Sequence, residues 1–329
     1  MELVLNSFGI SLSKDNDGFL VSGPECRQHI PTQGVDSIRI AQGAKITSDA
    51  VLLAIANEID VLFVDKEGKP MGRVWSPKYG SISTIRKGQI CFSSSKQAVD
   101  WIKEIIVSKI ENQQSLIQML QCENEHRMTV GRSTVSQLEY IRNKVMQVEG
   151  DYVRDIASTL RGLEGAASRS FFKAYSQFLP EPFRFDGRSQ HPAMDMTNAM
   201  LNYGYGVLYG KVEGALISAG VDPYVGVLHR DEYNRPVLVY DVIELYRVWV
   251  EYVSFRILES GAVSEEFFSR QDDGSVWLEN MGRRVLIQSL NDYLEEIVTD
   301  GTKSRMRATM IELYAQSLAQ KFKTYTQLC

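Results

Sequence analysis

The period of the hydrophobic positions changes near residue 96. Before that point, apolar residues come in short β-prone runs: Leu3 to Leu5, Ile10 to Leu12, Phe19 to Val21 and Ile38 to Ile40 read as strands. Turn chemistry separates them, with Asp15-Asn16-Asp17-Gly18 and Ser22-Gly23-Pro24 between runs. Thr47-Ser48-Asp49 opens a helix that runs to Ala56. Asp60 to Asp65 is a candidate buried strand, residues 66–70 a turn, and Met71 to Trp75 a returning strand. After residue 96 the apolar positions follow a helical period over 98–120, 134–148, 150–178, 194–219, 239–259, 283–299 and 302–323. Residues 260–282 read as a loop excursion. The pattern predicts an α+β chain: a small N-terminal β-rich domain over 1–80, a linker over 81–95 in a Ser/Gly/Lys-rich stretch that begins at 76, and a larger all-helical domain over 96–329.

Several polar residues break these apolar patterns. At about 100° per residue, Ala157, Leu160, Leu163, Ala167, Phe171 and Ala174 share one helical arc, and Glu164 falls inside it. A carboxylate on such a face needs a partner, because isolated burial costs several kcal/mol. Arg154, Arg161 and Arg169 lie on the adjoining flank, so pairing of Glu164 with Arg161 or a distant arginine is one reading and a functional cleft the other. In the 194–219 helix, Gly204, Gly206, Gly210 and Gly214 cost helix propensity, which points to close approach of a neighbouring helix or a ligand. Asn198, Asn202, Tyr205 and Tyr209 follow one face there, either lining a groove or satisfying one another in a core.

His229 closes the apolar run Val225 to Leu228. Twelve residues on, Asp241 and Glu244 stand at i, i+3 on one face of a helix start, amid Val237 to Val239, Val242, Ile243 and Leu245. The same spacing also serves helix capping. If Glu164, His229 and the Asp241/Glu244 pair converge, their natural common partner is a divalent cation, Mg²⁺ or Mn²⁺, with the imidazole favouring Mn²⁺. Arg161, Arg169, Arg184, Arg188, Arg230, Arg235 and Arg247 are near these positions in sequence, and arginine suits forked phosphate contacts. A metal flanked by arginines describes a phosphodiester site.

Charge narrows the choice of partner. Thirty-six basic and 41 acidic residues leave a formal net charge of −5, which argues against a generally basic nucleic-acid coat protein and requires any nucleic-acid contact to be a local patch. Residues 1–90 carry 10 basic and 10 acidic residues, so the excess acid is in the helical half. The four cysteines, Cys26, Cys91, Cys122 and Cys329, are widely spread, which predicts isolated reduced thiols and a cytoplasmic setting. The start MELVLNSFGI lacks signal-peptide character, and no apolar run reaches membrane-spanning length.

Four segments in order, RGLEGAASRSFF (161–172), NAMLNYGYGVLYG (198–210), DPYVGVLH (222–229) and LVYDVIELYR (238–247), resemble the CRISPR-associated endonuclease/integrase family that inserts new spacers into CRISPR arrays. The N-terminal stretch 35–74 resembles it too, so the likeness covers nearly the whole chain. Val242 stands where leucine is commoner in the family, and Arg247 lacks its frequent following proline; neither departure touches the acidic pair. The resemblance implies a β-sandwich-like N-terminal domain that dimerises and an all-helical catalytic domain. It implies Glu164, His229 and Glu244 as ligands of Mg²⁺ or Mn²⁺, Asp241 as a further catalytic residue and Arg247 as a basic residue near the DNA; Arg161, Arg169, Arg188, Arg230 and Tyr205, placed nearby by their own spacing, complete the expected DNA contacts. The implied partners are double-stranded DNA (a spacer fragment and a CRISPR repeat), a second copy of the chain and a small ferredoxin-like protein; no membrane is involved. The implied reaction is attack of a DNA 3′-hydroxyl on a phosphodiester. A stand-alone metal-dependent nuclease on branched DNA, and a non-catalytic DNA-binding scaffold, are the rival readings.

Overall fold

The computed structural model describes residues 1–24, 27–65, 68–74, 82–121, 125–229, 235–300 and 303–325. The N-terminal part is strand-rich. β2 (Ser11–Asp15) and β3 (Gly18–Ser22) form a hairpin across Asn16 and Asp17, and Asn16 takes the positive φ, 54°, that tight turns demand. With β4 (Arg27–Pro31) and β6 (Lys45–Ile46) they make one four-stranded sheet, order β4-β3-β2-β6. The second sheet runs β1 (Glu2–Leu5), β5 (Ser37–Ala41), β7 (Asp60–Val64) and β8 (Pro70–Arg73). Its first three strands are parallel, because α1 (Ser48–Ala56), capped by the Thr47 hydroxyl, carries the chain back between β5 and β7. Leu12, Phe19, Ile38 and Val61 fill the core of this part. β4 carries no sequence signal because it is an edge strand with a single buried residue, Ile30.

The rest is largely helical: α2 (Ile82–Ser93), α3 (Lys96–Leu120), α4 (Glu125–Gln147), α5 (Val153–Phe178), α6 (Met196–Ser218), α7 (Val237–Ile243), α8 (Arg247–Glu259), α9 (Asn280–Glu295) and α10 (Arg307–Tyr325). Where composition suggests a linker, α2 buries Ile85, Gln89 and Phe92, and the Phe92 ring meets Phe322 of α10 with centroids 5.3 Å apart. A few apolar residues at helical spacing suffice there, and the serines and lysines only mask them. The excursion at 260–282 contains a two-stranded ribbon, β9 (Phe268–Arg270) with β10 (Val276–Leu278). A second ribbon, β11 (Ile297–Asp300) with β12 (Lys303–Met306), takes residues that the helical period had claimed on both sides. Cys91 is disulfide-bonded, against the expectation of reduced thiols. No helix among the described residues is long and apolar enough to cross a membrane.

Two features hold α6 in place. Gly204 lies where a Cβ would come within 2.5 Å of the Val250 side chain, so the glycine sets how closely α6 and α8 approach. At the other end, the Arg73 guanidinium of β8 pairs with Asp60 and donates to the carbonyls of Ile217 and Ser218. That cation at the C-terminal end of α6 satisfies exposed carbonyls and ties the second sheet to the helical part.

Candidate active site

Four helices and one loop bring the predicted residues together. Glu164 projects from α5 on the flank of the buried stripe Leu160, Ala167 and Phe171, half-buried. Its partner is neither Arg161 nor another arginine: Lys109 of α3, 8% exposed at its side chain, donates to Glu164 Oε1 and lies 2.6 Å from Glu244 Oε2. Lys109 was not among the residues singled out from sequence. A signal for it exists, since it falls on the apolar stripe of α3 between Ile102, Ile105, Ile106 and Gln113.

Glu244 owes its place to a broken helix. The apolar run 239–259 reads as one helix, but the chain stops at Ile243 and restarts at Arg247. Between them the amides of Leu245 and Tyr246 bond only three residues back, and Asn112 of α3 takes the carbonyl of Leu245 at 3.0 Å. Glu244 lies at the break and pairs with Arg247 at 2.7 Å as well as with Lys109. Burial alone would raise its pKa, but the two cations outweigh burial and hold its carboxyl down at about 2. Burial works against the Lys109 ammonium too, yet Glu244 and Glu164 keep its pKa above the usual lysine value.

Asp241 faces away from that pair. Its carboxylate, wholly buried, accepts the backbone N–H groups of Val227, Leu228 and His229 at 2.7, 3.1 and 3.3 Å and the His229 Nδ1 at 2.8 Å. The turn is tight enough that a Cβ at Gly226 would strike the His229 carbonyl. Asp241 therefore fixes the imidazole's orientation and leaves Nε2 as the ring nitrogen for a ligand. Burial opposes charging of His229, but the hydrogen bond and charge of Asp241, backed by Glu244 and Glu164, raise its pKa above the ordinary histidine value. Upstream, Gln89 of α2 donates to the carbonyls of Asp222 and Val225 at 2.7 and 2.9 Å and accepts the Asp222 N–H at 3.0 Å. The segment that leads to His229 is thus held at both ends.

The donor chemistry, two carboxylates gathered about one cation beside an oriented imidazole, fits a divalent metal ion. Among the described residues, however, no three His, Cys, Asp or Glu side chains stand together as a ready ligand set, and Lys109 bridges the two glutamates.

The predicted DNA-binding residues divide. Arg161 is exposed and donates to the Leu228 carbonyl at 2.7 Å, next to His229; Arg169 is exposed further along α5. Arg188 is tied to Asn198 and Asn202 and stacks 5.4 Å from the centroids of Phe172 and Tyr205. Arg247 also stacks on the Tyr205 ring, 4.7 Å from its centroid. Tyr205 itself is buried and spends its hydroxyl on Glu251 Oε1 at 2.7 Å. Asn198 and Asn202 hold the 187–190 loop. Arg230 lies outside the described residues.

A groove of about 1650 Å³ runs between the second sheet and the helical part. Its walls carry Arg39, Lys69, Arg188, Lys211, Arg235 and Arg247 together with Tyr203, Tyr209, Tyr240 and Trp277, as well as the acids Glu2, Asp65, Asp272 and Asp273. Tyr240 in its wall meets the His229 ring with centroids 5.9 Å apart, so the groove leads to the site.

Acidic and imidazole donors thus lie beside a groove lined with cations and aromatic rings. The family described as CRISPR associated protein Cas1 matches residues 3–292, and the chain belongs to that family. A CRISPR-associated endonuclease Cas1 from Archaeoglobus fulgidus is 30% identical over 331 residues, covering 97% of this chain and 95% of the relative. The fold is similar to a casposase bound to its integration product, with TM-score 0.74 at 23% identity over 98% of this chain and 95% of that one. It is similar also to a chain of a partial Cas6-RT-Cas1–Cas2 complex, with TM-score 0.76 at 24% identity over 98% and 96%.

Proposed function

We propose that this protein is a CRISPR integrase and endonuclease that joins the 3′-hydroxyl of an incoming DNA fragment to a phosphodiester at the edge of a repeat, acting in the cytoplasm. The observation that carries the reading is the meeting of Glu164 and Glu244 about a single cation, with His229 oriented by Asp241 alongside. Membership of the Cas1 family and the names of the relatives support it.

Glu164, His229 and Glu244 would hold Mg²⁺ or Mn²⁺. Such an ion supplies Lewis-acid stabilisation of charge on the phosphate and on the entering or leaving oxygen. The chain's own residues do the rest. Asp241 holds the imidazole in one orientation and one tautomer. Arg247 neutralises Glu244 from the protein side. Arg161, exposed beside His229, and Arg169, exposed further along α5, are the α5 cations that would meet phosphate oxygens. The groove cations bind backbone rather than base edges. Double-stranded DNA, a second copy of the chain through the N-terminal strands and a small ferredoxin-like protein are the partners of this reading.

The test is an integration assay with a pre-cut duplex, supercoiled repeat DNA, the partner protein and Mg²⁺ or Mn²⁺. Glu164→Gln, His229→Ala and Glu244→Gln should each lower joining by at least about a hundredfold while duplex binding persists. Hydrolysis without joining by the unsubstituted protein would make it a stand-alone nuclease. Normal joining by all three variants would refute the site.

A further inference from the structure

The cation at the centre of the site belongs to the protein. Lys109 comes from α3, where Ile105, Ile106 and Ile110 bury the helix face that carries it, and its side chain is 8% exposed. Its ammonium touches one oxygen of Glu164 and one of Glu244, the two carboxylates that the proposed function assigns to a metal. Lysine suits such a post, being a compact point charge on a flexible four-carbon stem. A guanidinium would instead hold its partners in a planar fork. The described residues contain no ready three-ligand set, as expected where two of the three ligands are folded round an ammonium. Arg247 adds a second positive charge on Glu244 from the opposite side, so the pair of carboxylates is neutralised without any ion from solution.

We infer that Lys109 is a built-in counter-cation that fills the metal position between Glu164 and Glu244 and is displaced when a divalent ion enters. The inference rests on the metal-dependent reading of the same site and adds its regulation: the ion must compete with a tethered ammonium, which weakens binding and keeps the two carboxylates together before the ion arrives. Two like charges brought together without a cation repel, so the lysine stabilises the metal-free protein at the expense of metal affinity.

The experiment uses the full chain and Mn²⁺ alone, titrated by electron paramagnetic resonance and by thermal unfolding with and without the ion. Lys109→Met and Lys109→Gln remove the competitor and should tighten Mn²⁺ binding about tenfold or more, lower the metal-free Tm and enlarge the Tm gain on adding Mn²⁺. Lys109→Arg keeps the charge and should bind Mn²⁺ no more tightly than the unsubstituted chain. Unchanged or weaker binding by the Met and Gln variants would overturn the inference, and so would equal tightening by Arg, which would trace the effect to loosened packing. In the unsubstituted protein, acylation mapped by mass spectrometry should find Lys109 protected without metal and labelled in saturating Mn²⁺; protection in both states would also overturn it. Glu164→Gln separates the two levels. If it leaves Mn²⁺ binding intact, the metal site itself is misassigned; if it abolishes binding, the outcome of the Lys109 variants judges the displacement alone.

Discussion

Asp241 spends its carboxylate on the turn that carries His229, accepting three backbone N–H groups and the ring nitrogen. Asp241→Asn puts an NH₂ group where acceptors are required, and the buried donors it strands should cost about 3 kcal/mol in urea unfolding of the metal-free protein. The same variant should drop the His229 pKa below its present raised position, read from the ring proton in an NMR titration, because burial then acts without the opposing carboxylate. Glu244 titrates in the other direction. Its folded pKa of about 2 is below the unfolded value of about 4.5, so its contribution to stability is present above that unfolded value and fades as pH falls toward the folded one. The difference in unfolding free energy between the unsubstituted protein and Glu244→Gln, measured without metal, should therefore shrink steadily as pH falls from about 4.5 to about 2. At this scale the sequence was partly readable. Glu164 and Asp241 stand out as carboxylates amid apolar neighbours, whereas Lys109, a lone lysine on the buried stripe of α3, is easily passed over when carboxylates and arginines are the groups sought.

At the scale of elements, strong periodicity located α3 and α5, each with a buried stripe, whereas α6 is apolar on nearly every side. Periodicity missed the break at Glu244 because residues 237–258 are apolar on nearly every side, and such a run carries no period to interrupt. The break is imposed by tertiary partners, Asn112 on the Leu245 carbonyl and the two cations on Glu244. α2 was hidden for the opposite reason, since its polar composition masks the few residues that anchor it. The glycines of α6 did point to close approach, correctly at Gly204, whereas a Cβ at Gly206 would meet open space. Gly204→Ala should overpack α6 against α8 and cost about 1–3 kcal/mol in thermal unfolding. Adding Val250→Ala should recover part of that loss, since the offending atom is the valine's own methyl group.

For the whole molecule, a net charge of −5 is compatible with DNA because cations collect where strand-rich and helical parts face each other. Lys69 reaches the groove from the β7–β8 turn and Lys211 from α6. Replacing both with alanine should weaken duplex binding about equally for unrelated sequences. It should also flatten the dependence of log Kd on log salt by about one unit for each cation removed, measured by fluorescence anisotropy from 50 to 300 mM salt. An unchanged slope would place the duplex on another face.

The contact between Phe92 and Phe322 has a consequence in time as well as space. The helix that bears Phe92 also bears Gln89, which holds the segment that leads to His229. That helix packs on α10 as well as on Trp101 of α3, so its buried face is fully covered only once residue 322 has been synthesised. The two sheets draw only on the first 73 residues and can close long before that. The order of synthesis thus gives a chain whose strand-rich part is finished early and whose segment leading to His229 gains its last support late.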